Sequence, residues 1–283
     1  MTNKIKLYIQ IFFMFSFSWC IGLKGLIIPE NGYVLSTNGT GIAEGNSPSL
    51  NPALRENSTS YIQFSFNHWI GDIQGSHIAY HFGEKFAQSI TIQTWNATDL
   101  ELRDDTPTQI PLGTFGVHYV STAYSISHDL NTPFRFGMRL QSNYNNLFIE
   151  SESNLMLSGG ALFPINSFIT IGTVIKNLTF EKKSDLDPTL GIGMQIKIPF
   201  NLSFSSDFIK FSELDEDIRF GFRTNWNKIN FHMGSSMSEN RNSKAFGFSF
   251  NHKRWLINYG IYYHENSTLS PSLPQFFDIR FHL

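Results

Sequence analysis

The 283-residue chain has one cysteine, Cys20, which excludes a disulfide framework and a cysteine-built zinc site. Charge is scarce as well. Asp, Glu, Lys and Arg make up 16% of the residues, against about 25% in an ordinary soluble domain. There is no basic excess: the formal net charge of -2 argues against the basic face that nucleic-acid binding requires. Beyond the N-terminus no run of apolar residues is long enough for a helical membrane span, and from residue 60 onward no helical periodicity appears. What the chain does have is 41% apolar residues and 15% aromatics, led by 28 Phe. That mixture is too apolar for a disordered chain. It points to β structure with much aromatic surface.

Lys4 and Lys6 precede an apolar run from Leu7 to Ile21, with the small Gly22 just before Leu23. This is the layout of a secretory signal peptide, expected over 1–22, and Cys20 leaves with it.

From residue 60 the sequence alternates. Phe134, Phe136, Met138 and Leu140 interleave with Arg135, Gly137, Arg139 and Gln141; Ile218, Phe220 and Phe222 interleave with Arg219, Gly221 and Arg223. Each such segment reads as a strand with one apolar and one polar face. Fourteen are expected, at about 60–69, 73–82, 88–96, 113–127, 133–143, 146–163, 167–176, 189–198, 200–211, 217–226, 229–237, 243–251, 254–263 and 275–283.

Alternation alone does not say which face meets the core. In a soluble sandwich the apolar face points inward; in a membrane barrel it meets lipid, and the polar face lines the lumen. Here the apolar positions carry large Phe, Ile, Leu and Met, while the polar positions hold Gly, Ser, Asn and charge. An Arg facing mid-bilayer lipid costs about 2–4 kcal/mol, so Arg135, Arg139, Arg219 and Arg223 belong inside. Connection length supplies a second test. The even-numbered connections are all short, and the longest ones (97–112, 177–188, 264–274) are odd-numbered. A barrel with short periplasmic turns sorts its connections in this way; a sandwich has no reason to. The expected fold is therefore all-β, a transmembrane antiparallel barrel of about 14 strands over 60–283, in the cell outer membrane. Tyr and Trp near strand ends, Trp69, Trp95, Tyr119, Tyr124, Trp226, Trp255, Tyr262 and Tyr263, are expected in interfacial girdles.

Residues 23–59 do not alternate. Their small, turn-rich composition suits irregular backbone, which is permitted at membrane depth only inside the protein, so this segment is expected as a plug within the lumen. Gly39, Gly41, Gly45 and the triplet Asn51, Pro52, Ala53 resemble the glycine-rich hatch of the PorV/PorQ family, whose architecture is related to the FadL transporters. The runs Ala123 to Leu130, Phe136 to Leu140 and Phe168 to Asn177 are similar to the family's central strands. Asn154 and Leu283 depart from its pattern, standing where an acidic and an aromatic residue are usual. The resemblance implies an accessory component of type IX protein secretion that binds protein partners of the secretion machinery at the outer membrane. The alternative is a FadL-like passive channel for hydrophobic or small anionic solutes.

Of the groups that carry chemistry, His77 and His81 share a strand face about 13 Å apart, too far for one ion. Nothing isolates one Ser as an activated nucleophile. Neither an enzyme, a cofactor nor a metal is expected. The inward charges Arg135, Arg139, Lys197, Asp207, Arg219, Arg223, Asp278 and Arg280 are expected as a lumen network that also engages Glu44 and Glu56 of the plug. The long connections are rich in Asp and Glu, which suits divalent-ion bridging to lipopolysaccharide; outer-membrane lipid is the other expected contact.

Overall fold

The computed structural model describes residues 28–54, 60–83, 86–103, 110–129, 134–147, 150–179, 188–211, 216–238, 242–264 and 273–283. The expected signal peptide over 1–22, Glu56 and most of the long connections lie outside these.

Fourteen strands form one antiparallel sheet closed on itself: β1 (Tyr61–His68), β2 (Gln74–Phe82), β3 (Phe86–Leu102), β4 (Gly113–Asp129), β5 (Arg135–Leu147), β6 (Glu150–Pro164), β7 (Ile169–Thr179), β8 (Thr189–Ile198), β9 (Leu202–Phe211), β10 (Glu216–Trp226), β11 (Ile229–Ser238), β12 (Asn242–His252), β13 (Trp255–His264) and β14 (Gln275–His282). Each strand pairs with its neighbours in sequence, and β1 closes on β14 with Tyr61 opposite His282. The chain folds as a transmembrane antiparallel β-barrel.

The pleat sorts the side chains as the alternation requires. On β1, Tyr61, Gln63, Ser65 and Asn67 are buried, while Phe64 and Phe66 are 46% and 60% exposed. On β10, Ile218, Phe220 and Phe222 are exposed, whereas Arg219 and Arg223 reach inward to residues of the N-terminal segment. An apolar belt of this extent on a protein surface marks contact with something other than water, and around a closed barrel that is lipid.

The short connections follow turn chemistry. Asn227 and Lys253 hold φ of 57° and 55°, as two-residue hairpins require, and Phe200 and Asn201 hold 70° and 60° in the three-residue connection between β8 and β9. In the turn between β6 and β7, Asn166 Oδ1 accepts the N–H groups of Phe168 and Ile169 at 2.8 Å.

Two expectations change. The turn placed at 144–145 falls later, because Asn145 still pairs with Glu152 and Leu147 with Glu150. β3 likewise runs on to Leu102 past an irregularity between Ala97 and Leu100, so β3 to β6 stand taller than the other strands. A second irregularity sits where β7 has two residues, Lys176 and Asn177, opposite the single Ser158; Asn177 takes φ of 59° there, a bulge geometry.

Candidate functional site

Residues 28–54 pack against the inner face of the barrel. The only regular element is a short helix, α1 (Gly32–Ser36), whose N-cap Asn31 accepts from Val34 N at 3.0 Å. From residue 30 to 54 only Asn46 is exposed. The segment follows the wall strand by strand. Gly32 lies at β14 and β13, Ser36 at β13 and β12, Thr37 at β11, Thr40 at β10, Ile42 at β8 and β7, Asn51 at β6 and Pro52 at β5. Leu54 O accepts from Ser127 Oγ of β4 at 3.2 Å.

Glycine makes this course possible. A Cβ on Gly260, Gly247, Gly234, Gly193, Gly172, Gly160 or Gly137 would collide with the segment or with the strand beside it. Gly221, Gly234, Gly247 and Gly260 recur at a constant interval of thirteen residues. That interval, one hairpin arm plus its connection, was the available signal for a cradle in the wall; within the alternation it passes for ordinary small lumen residues.

The glycines singled out by sequence sit in the segment's own turns. Gly39, Gly41 and Gly45 have φ of 68°, 140° and 65°, a region that other residues enter at a cost. Asn51 is the hub of the triplet. Its Nδ2 lies 2.8 Å from Ile42 O, 3.2 Å from Ala161 O and 3.3 Å from Thr173 O, and its Oδ1 accepts from Ala53 N at 2.9 Å. One side chain thus ties the segment to itself and to two strands. The Pro52 carbonyl rests on Gly137.

The wall charges hold the segment by its backbone as much as by its side chains. Asp207 Oδ2 accepts from Gly41 N at 2.6 Å and Ile42 N at 3.1 Å. Asp278 accepts from Gly32 N at 2.9 Å, Tyr33 N at 3.3 Å and Asn258 Nδ2 at 3.1 Å. Arg219 donates to Gly39 O at 3.1 Å and to Asp217 at 2.8 Å. Arg223 binds Glu44 and the Tyr33 hydroxyl, which itself donates to Glu44 at 2.8 Å. Arg139 binds Glu30, and Arg135 lies 3.4 Å from Leu54 O. Arg280 donates to Gln63 Oε1 at 2.8 Å over the ring of Tyr61, and Lys197 is exposed at the short-turn end. Sequence reasoning paired Asp207 and Asp278 with inward cations. Asp207 does stand opposite Arg219 across β9 and β10, but both carboxylates accept hydrogen bonds from peptide N–H groups, and Asp278 also from Asn258. Sequence reasoning missed Glu30, Asp217 and Gln63 as the partners of Arg139, Arg219 and Arg280.

Two groups of the segment show what this environment does. Burial alone would raise the Glu30 carboxyl, but Arg139, His77 and hydrogen bonds from Ser49 and Arg139 outweigh it and hold the group below its usual value. Burial pushes the Tyr33 phenol up, with Arg223 opposing and Glu44 adding to the rise. His81 stacks on Tyr61, and His77 lies 3.8 Å from Glu30. Among the described residues no cluster could hold a metal ion. His232 Nε2 is 2.7 Å from Ser249 Oγ, but its Nδ1 has no partner among the described residues, so the pair lacks the orienting group of a triad.

The remaining feature of the lumen is apolar. Leu35 of α1 packs with Trp95, Tyr119 and Phe276, and Ile28, Trp69, Ile73 and Tyr262 pack against these. Trp69, Trp95, Tyr119 and Tyr262 were expected in an interfacial girdle. Instead they face the lumen: Trp95, Tyr119 and Tyr262 hold inward positions of β3, β4 and β13, and Trp69, just past β1, packs on the same cluster; Tyr124, Trp226, Trp255 and Tyr263 are exposed. Beside this cluster, on β5 and β6, the lining is polar: Tyr119 Oη donates to Asn143, which in turn bonds Asn154 and Gln141 at 2.9 Å.

A closed antiparallel barrel with a lipid-facing belt, lined by a segment of its own chain, defines the class: a transmembrane β-barrel. Comparison with solved structures gives the particulars. The toluene transporter TodX of Pseudomonas putida superposes with a TM-score of 0.65 at 8% identity over 87% of this chain and 95% of TodX. A TodX variant described as a monoaromatic hydrocarbon channel gives 0.66, also at 8%, over 88% and 96% of the two chains. CymD, another monoaromatic hydrocarbon channel, gives 0.64 at 9% over 91% and 96%. At such identities the likeness is one of fold. The sequence matches no protein-family profile and no curated protein sequence.

Proposed function

We propose that the protein is an outer-membrane channel of FadL-like architecture, closed at rest by residues 28–54, that admits small apolar solutes from the long-loop side. The observation that carries this reading is the aromatic cluster on Leu35. Most other inward positions are polar, apart from a second apolar contact of Val174 and Ile209 on Ile42; a water-filled pore has no use for Trp95 and Phe276 beside α1. A solute that displaces ring contacts at this point presses directly on α1, so entry and movement of the segment are coupled. The shared fold with hydrocarbon channels supports the class and leaves the solute open. The test is uptake of a monoaromatic hydrocarbon by cells with and without the protein. Deletion should slow uptake, and Trp95→Ala with Phe276→Ala should change its rate while the barrel still folds; unaltered uptake in all strains would reject the channel.

A second reading is favoured by the hatch resemblance at Gly39, Gly41, Gly45 and Asn51 to Ala53, together with the shielding of every residue from 30 to 54 except Asn46. A barrel that passes nothing serves as a membrane-held scaffold, and the resemblance implies type IX secretion, with proteins of that machinery and lipopolysaccharide as partners. Loss of cargo secretion on deletion, with hydrocarbon uptake unchanged, would favour this reading over the channel.

A further inference from the structure

We propose that the short-turn rim beneath β8 to β13 is a binding surface for anionic phospholipid headgroups. Its turns form one continuous arc. Asn225 N donates to Asn201 O at 3.1 Å, Asn251 N to Lys228 O at 2.8 Å and His282 N to Arg254 O at 2.8 Å, so three hairpins and the end of β14 are joined side by side. Along this arc Phe200 is 89% exposed, Trp226 74% and Trp255 49%. Between them Lys228, Lys253 and Arg254 are exposed, and none has a carboxylate within ion-pair distance among the described residues.

Hairpin geometry does not account for these side chains. Lys253 holds φ of 55° at the first position of a two-residue turn, where Asn or Gly is favoured, as Asn227 illustrates in the same arc; Phe200 holds φ of 70° within the three-residue connection 199–201, again a region that favours Asn or Gly. A large ring and an ammonium group are kept at positions that strain the backbone, which argues for contacts beyond the turn. The charge of the two rims differs too. The short connections contain Lys85, Lys228, Lys253 and Arg254 against Glu84, whereas the long ones hold nine Asp or Glu against Arg103, Lys182, Lys183 and Arg241.

The occupant follows from continuity and charge. The arc borders the lipid-facing belt through Phe222 and Phe250, so the medium it meets is the edge of a leaflet. Indole rings settle at headgroup depth, and Lys or Arg beside an anionic leaflet gains about 1 kcal/mol each, a roughly fivefold change in partition. Trp226 and Trp255 set the depth, and the three cations meet phosphates. The inference rests on the membrane reading of the barrel and is independent of what crosses the lumen.

The test uses the full barrel in nanodiscs of equimolar phosphatidylglycerol and phosphatidylcholine, released into mild detergent and weighed with its retained lipid by native mass spectrometry. The unaltered protein should retain phosphatidylglycerol in severalfold excess. Lys228→Gln, Lys253→Gln and Arg254→Gln should each lower that preference by roughly fivefold, and Lys244→Gln at the opposite rim should leave it unchanged. Heat-modifiable gel mobility confirms that each variant folds. Equal retention of the two lipids overturns the proposal, as does a preference untouched by the three substitutions or lost equally with Lys244→Gln. Absence of lipid preference combined with crosslinking of a periplasmic protein through Phe200→Cys would assign the rim to a protein and overturn it as well. Failure of hydrocarbon uptake would leave these readouts where they are.

Discussion

Replacing Asp207 with Ala tests how firmly the wall holds residues 28–54. The carboxylate is buried and accepts two peptide N–H groups, from Gly41 at 2.6 Å and Ile42 at 3.1 Å. Removing it strands both donors, at about 1–3 kcal/mol each. Relief of a desolvated charge works the other way, since Asp207 Oδ1 has no hydrogen-bond partner among the described residues. We take the lower end, about 2 kcal/mol, as the net loss of docking free energy. That corresponds to a roughly thirtyfold rise in the population with the segment displaced. Asp207→Asn keeps an acceptor oxygen and gives up only the charge assistance, so its effect should be several times smaller. The assay is the single-channel open probability in planar bilayers, together with the rate of thiol labelling at Ser36→Cys, a position buried against Gly247 and Gly260. Both should rise in the order unaltered protein, Asp207→Asn, Asp207→Ala. Unchanged labelling and conductance in Asp207→Ala would refute the reasoning that these two bonds hold the segment.

Three further outcomes follow from the same contacts. Asn51→Ala removes the hub that joins Ile42, Ala161 and Thr173 and should lower barrel stability by about 3 kcal/mol in a denaturant titration. Gly137→Val, which suits a strand but collides with the Pro52 carbonyl, should expose Asn51 and Pro52 to protease, whereas Gly113→Ala, with open space around it, should not. Glu30 is held below its ordinary pKa of 4.5 by Arg139 and His77 despite its burial. A depressed carboxyl contributes stability that is present above the unfolded value and lost as pH falls through the folded one. Melting temperature should therefore drop below about pH 4.5 in the unaltered protein, and less so in Glu30→Gln.

The wall was legible in the sequence because two rules agreed. Arginine at Arg135, Arg139, Arg219 and Arg223 excludes one of the two registers, and a one-residue slip would turn every Phe to the lumen. Strand number followed from the same alternation, and strand ends moved where pairing continued past a turn-like sequence, as at Asn145 and Asn146, and where Phe200 and Asn201, expected in a strand, belong to the turn before β9. The inside was less legible. A glycine in an alternating strand looks the same whether it borders water or cradles a backbone, so the belt from Gly137 to Gly260 carried no local sign of its purpose. Glu30 lay outside any motif, and its pairing with Arg139 bridges 109 positions of sequence. Trp95 and Tyr119 share the parity of the inward polar residues Gln93 and Ser121, so the alternation itself points them to the lumen; reading them as girdle residues weighs aromatic type ahead of that parity.

The most direct test of the account is whether its outward rows touch lipid. A bimane label is placed in turn at Ile218→Cys, Phe220→Cys, Phe222→Cys, Arg219→Cys and Arg223→Cys, in protein reconstituted with brominated lipid. Strong quenching at the first three positions and little at the two arginine positions is the expected result. Equal quenching along the strand, or quenching at Arg219 and Arg223 alone, would contradict it.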